Sequence, residues 1–388
     1  MRTLLTLLAA LVLLVGCSAS EEAAAPTTSA SAAAAHDDTG IDANESAEPV
    51  TRLVLVEPDT GAAVVFDAGD ETETPLGAFG PTSGVSGDGR FAYLRGDAAM
   101  TVLDAGSWTF DHGDHSHYYV EPPAVAGRVD GRFADATGRR ELTTLRREDG
   151  TVEILDRDAL GEHRVAPVDD FGELRDIVAA APLGEKVIAV NRAGTVTEIS
   201  GGTRDLGRCP DATAAATMGR EVVVGCSDGA VRIVKRAGRL TAEAFPLAAG
   251  TRPPGPLVHR YGSSALAGIT EDTVWVLDAR RGAWKSVDVA GAVAANTVSG
   301  DAVLVLTADG GLRAFDTGTG AQTAVLQLFG GPLPVSGPAP VIEVDADRAY
   351  VNDVAARAVY EIDYRDGLRL ARTFNTSVAP GFMVEAGR

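Results

Sequence analysis

Three of the chain's six histidines fall in one short run, Asp111-His112-Gly113-Asp114-His115-Ser116-His117-Tyr118-Tyr119. Neutral imidazole is the commonest side-chain metal ligand and suits zinc especially well. Asp111 and Asp114 are interleaved with the rings, so the run offers both nitrogen and oxygen donors. The chemistry expected is coordination of zinc by His112, His115 and His117, with Asp111 and Asp114 as carboxylate candidates. If the run is extended, side chains alternate faces. Asp111, His115, His117 and Tyr119 then share one side, and His115 and His117 form an i, i+2 chelating pair. His112 joins them only if the backbone bends, and Gly113 is where it would do so. A polar loop that happens to be rich in histidine is the blander reading.

Structural zinc normally takes four protein ligands and catalytic zinc three, which one strand cannot easily supply. The remaining ligands must come from elsewhere. His259 and His163 are the other histidines in the body of the chain, and Asp130 and Asp135 are nearby carboxylates.

The elements that must position these residues repeat. An apolar run, an Asp/Gly turn and a second apolar run recur along the sequence. Examples are Arg90–Leu94 with Met100–Asp104, Glu221–Gly225 with Val231–Val234, and Ala302–Leu306 with Leu312–Asp316. Weaker copies begin near Arg52, Glu141, Lys186, Ser264 and Arg348. Each reads as a β-hairpin, and no window carries a sustained helical stripe. Starts roughly 35 to 50 residues apart place the chain in the regime of propeller blades. An all-β β-propeller is therefore expected, with eight blades counted from the copies. Seven is the alternative, if the first copy completes the last blade as a closing strand. A propeller leaves only short strand edges exposed, so the Gly and Asp residues of these turns are architectural.

Residues 1–16 read as a secretory signal: Arg2, an apolar run from Leu4 to Val15, then a small residue. Cys17 directly after Val15-Gly16 resembles a bacterial lipobox, which implies cleavage before Cys17 and acylation of its thiol. An ordinary signal peptide with an incidental cysteine is the alternative. Residues 17–50 hold little besides Ala, Ser, Thr, Glu, Asp and Pro, and read as a disordered tether with one imidazole, His36. Residues 51–388 are the expected propeller domain. The protein is thus expected on the extracytoplasmic face of a cell membrane, attached through lipid alone.

A formal charge of −20 argues against nucleic acid as a partner, because phosphates need a basic face. Beyond Cys17, Cys209 and Cys226 make an even pair in an oxidising compartment, expected to form a disulfide. Two thiolate zinc ligands are the alternative.

The run 111–120 followed by Glu121-Pro122 resembles the zinc metallochaperones of AztD type. The resemblance implies a secreted β-propeller that delivers zinc to the solute-binding protein of an ABC importer. Cys209-Pro210 and the stretch from Val224 through Cys226 to Gly229 look like that family's two cysteines around a propeller hairpin, and His36-Asp37-Asp38 looks like a reduced form of its His-rich segment. The family carries a histidine between the paired cysteines, whereas here no histidine occurs between Cys209 and Cys226.

Other functions compete with that one. A metal-free propeller serving as a scaffold for envelope proteins is one alternative, since this fold carries many functions. A quinoprotein-type enzyme is suggested only by Leu277-Asp278-Ala279-Arg280-Arg281-Gly282-Ala283-Trp284, a phrase whose Trp most copies lack. No Ser/His/Asp or Cys/His grouping stands out, so a non-enzymatic role is expected.

Overall fold

A computed structural model describes residues 43–111 and 115–388. Within them the regular structure is strand apart from one short helix, Arg157–Gly161, capped by the Asp156 carboxylate. Eight antiparallel sheets of three or four strands follow one another along the sequence, and a ninth, three-stranded sheet is inserted into the second of them.

The first sheet joins distant parts of the chain. Phe382–Ala386 pairs with Arg52–Val56, which continues through Ala62–Asp67 to Thr72–Ala78. Leu53, Val54, Leu55 and Val56 are all completely buried. Successive strand residues point to opposite faces, so both faces of this sheet must be covered. Leu53 and Leu55 pack with Tyr350, Val359 and Phe374 of the eighth sheet, whereas Val54 and Val56 pack with Ala92, Leu94 and Leu103 of the second.

The same arrangement recurs around the molecule. Apolar clusters join the second sheet to the third, the third to the fourth, and so on through the seventh and eighth. With the first sheet these clusters close a ring: the fold is a β-propeller. Two sheets depart from the four-strand pattern. In the third, the residues after the helix touch the outer strand only at single bridges, Val152 to Leu174 and Leu155 to Pro167. In the sixth, Val258 makes one bridge to Ala267 where an inner strand would run.

The inserted sheet leaves the second sheet after Ala99–Asp104 and rejoins it at Ala124–Asp130. Its strands are Ser107–Asp111, Ser116–Val120 and Asn44–Ser46. The last of these departs from the reading of residues 17–50 as a disordered tether at one place: Asn44–Ser46 is a strand, paired through Asn44–Val120, Glu45–Tyr119 and Ser46–Tyr118, while residues 17–42 lie outside the described residues. Three polar residues carry no periodicity of their own. Their order comes from backbone pairing to a neighbour.

Arg52 holds the neck of the insert, donating from one nitrogen to the carbonyls of Ala105, Gly106 and Glu121, each at 2.8 Å. Gly106 is required there, because its φ is +66° and a Cβ would lie 2.3 Å from the Glu121 carbonyl.

Candidate metal centre

The run from Asp111 to Tyr119 is a hairpin, and this changes which residues share a face. Register pairs Asp111 with Ser116, Phe110 with His117, and Trp108 with Tyr119. Directly opposed residues project to the same side. His117 and Tyr119 therefore lie on the face of Phe110 and Trp108, and Asp111 lies on the other face with Ser116. The expected grouping of Asp111 with His117 came from treating the run as one extended strand, and the turn removes it. His112, Gly113 and Asp114 lie outside the described residues.

His115 and His117 do come together, with ring centroids 4.9 Å apart and planes at 73°. Tyr119 lies beside His117 at 6.3 Å and 21°, and stacks on Trp108 at 5.3 Å. Beneath Trp108 sits the Arg90 guanidinium, 3.6 Å from the ring centroid. Arg90 in turn forks onto the fully buried Asp104 carboxylate, with its closest contact at 2.6 Å. A ladder of rings and one guanidinium thus links the histidine hairpin to the interior of the second sheet.

The tether strand supplies a residue that spacing within the histidine run does not reveal. Glu45, opposite Tyr119, places Oε1 2.6 Å from Nδ1 of His117. The side chains remain 45% and 23% exposed, so the pair stands at the surface. Nothing in the alanine- and acid-rich stretch around Glu45 marks it, because its placement depends on a three-residue pairing 72 positions from His117.

Other candidates are dispersed. His259, taken above as a further ligand, lines a cavity of about 620 Å³ with Arg139, Thr217, Tyr261, Glu343 and Arg388. Its Nδ1 lies 3.0 Å from the Arg260 carbonyl. Burial lowers its pKa, and the cations of Arg388 and Arg139 push the same way. Among the described residues no three His, Cys, Asp or Glu side chains converge as a metal cage, so His259 does not join His115 and His117. The sequence separation of these residues gives no warning of this. His259 follows the single Val258 bridge, where the sixth sheet lacks an inner strand, and lies against the cavity.

His163 lies 3.8 Å from the Asp104 carboxylate, and Asp135 is taken by Arg146. Asp130 is exposed beside Arg128. Cys209 and Cys226 are joined as a disulfide and are buried, which removes them as thiolate ligands. Cys17 and His36 lie outside the described residues. Among the described residues no helix is long and apolar enough to cross a membrane.

His115 and His117 on the hairpin and Glu45 on a separate strand are residue types that zinc takes, but among the described residues they do not gather into a set of three ligands.

No protein-family model matches the chain, and no curated protein matches it in sequence. Solved structures do. The class they share with it is the β-propeller: the computationally designed Ika8 protein superposes with a TM-score of 0.51 at 15% identity, over 79% of this chain and 94% of its own. Saccharomyces cerevisiae Sqt1 gives 0.51 at 13% identity, over 76% and 85%. Within that class, the particular fold is that of AztD. Two structures of AztD from Citrobacter koseri, one of the apo protein, each superpose with a TM-score of 0.73, covering 87% of this chain and 98% of theirs. Identity is 17% and 16%.

Proposed function

We propose that this protein is a zinc carrier of the envelope. In this reading it is anchored through Cys17 on the outer face of the cell membrane, binds zinc at the histidine hairpin and hands it to the solute-binding protein of an ABC importer. The observation that carries the proposal is the meeting of His115 and His117 on an exposed hairpin, with Glu45 brought alongside by a separate strand. The AztD-like fold and the resemblance of residues 111–122 to AztD-type metallochaperones support the same reading. His112 and Asp114 belong to the proposed ligand set on the strength of the sequence. Asp111 does not, since the register puts it on the opposite face from His117.

A soluble chain beginning after Cys17, titrated with zinc against a competing chelator, tests the proposal. The double variant His115→Ala/His117→Ala should bind at least about 100-fold more weakly, as expected when two of three or four ligands are lost. Unchanged affinity would remove the hairpin as the site and return the molecule to the metal-free scaffold.

A further inference from the structure

We infer that Glu45 is a positioning residue for His117: its carboxylate accepts a hydrogen bond from Nδ1–H of the imidazole and so keeps the lone pair on Nε2, the nitrogen turned to the metal. The inference rests on reading the hairpin as a zinc site.

A neutral imidazole carries one proton, on either nitrogen, and only the bare nitrogen can bind a metal. A carboxylate facing one nitrogen holds the proton there, and such partners orient many zinc-bound histidines. Here Oε1 of Glu45 is 2.6 Å from Nδ1 of His117. That separation favours one of two roles. Nitrogen and oxygen donors sharing one tetrahedral zinc, each at about 2.0–2.1 Å, stand roughly 3.3 Å apart. A spacing of 2.6 Å is that of a proton held between the two atoms.

The surroundings fix the remaining freedom of the ring. Tyr119 lies nearly parallel beside His117 at 21°, limiting its rotation. Register holds Glu45 opposite Tyr119, so the carboxylate reaches His117 diagonally across the sheet face. His115 approaches edge-on, with its ring centroid 4.9 Å away. Ordering of Asn44–Ser46 on the hairpin edge thus sets which nitrogen of His117 is offered.

The test compares Glu45→Ala and Glu45→Gln with the unaltered chain. Two-bond proton–nitrogen correlation spectra of the metal-free protein report the tautomer of His117, assigned by its loss in His117→Ala. Spectra are taken near pH 8, above the ordinary imidazole value of about 6.5. The unaltered protein should show the proton on Nδ1. Glu45→Ala should shift the population toward Nε2–H, and Glu45→Gln, whose amide oxygen still accepts, should restore Nδ1–H. Zinc affinity should fall about 10- to 100-fold in Glu45→Ala and less than about 10-fold in Glu45→Gln.

An unchanged tautomer in Glu45→Ala would overturn the inference. So would equal losses of affinity in both variants together with one fewer oxygen in the zinc X-ray absorption shell, which would make Glu45 a direct ligand. If the unaltered chain takes up no zinc, the carrier reading fails, while the metal-free spectra still decide whether Glu45 sets His117.

Discussion

Cys209 and Cys226 are buried and covalently joined in the apolar cluster between the fourth and fifth sheets. His115 and His117 stand on a hairpin that leaves the second sheet at Asp104 and is gripped at its neck by hydrogen bonds and one stacked ladder. In the first region dense apolar packing and a crosslink hold the backbone in one state. In the second, the functional side chains are held by a surface hydrogen bond, a stack and a three-residue strand. The ring supplies a rigid frame, and exchangeable chemistry sits where the frame constrains least. This is the usual division between scaffold and functional loop.

Three perturbations break or sharpen that contrast. The largest effect is expected from Arg90→Ala, because Arg90 ties the hairpin's ladder to the buried interior of the second sheet. Its loss strands the buried Asp104 carboxylate, at a cost of about 3–5 kcal/mol in urea unfolding, and removes the cation beneath Trp108. Backbone amide exchange in Ser116–Val120 should accelerate along with that of the second sheet.

Replacing both Cys209 and Cys226 with Ser should confine the damage to the ring. The crosslink spans 17 positions, and its loss should cost about 3 kcal/mol in the chain-entropy account. Zinc affinity should be unaltered; a parallel loss of affinity would show that the hairpin depends on the frame more closely than proposed.

The smallest effect concerns pH. The folded state holds His259 below its ordinary pKa, chiefly by burial, so unfolding takes up protons in the window below about pH 6.5. The stability present above that value is lost as pH falls toward the folded-state pKa. Urea midpoints measured near pH 7 and near pH 5 should differ less in His259→Gln than in the unaltered chain. An identical slope in the two proteins would refute the assignment.

The propeller was legible because its repeat follows from packing: sheets covered on both faces demand continuous apolar runs such as Leu53–Val56, and Asp/Gly turns separate those runs. What escaped notice depends on pairing at a distance. The swap of Asp111 to the far face follows from the hairpin register, which alternation along a single strand does not reveal. Glu45 was hidden for a related reason, since three polar residues become a strand only when an edge is offered to them. Opening of the inner side of the sixth sheet turned His259, a plausible ligand by residue type, into part of the cavity wall.

Closure of the ring bears on when the hairpin can work. Gly387, just past the strand Phe382–Ala386, donates its N–H to the Ser107 carbonyl, and its own carbonyl receives the Thr109 hydroxyl at 2.7 Å. Ser107 in turn donates to Val50 at 2.6 Å. A ribosome finishes Tyr119 long before it reaches Gly387, so a half-made polypeptide has the imidazoles but not their footing. The footing of the hairpin is thereby completed only once synthesis has passed residue 387.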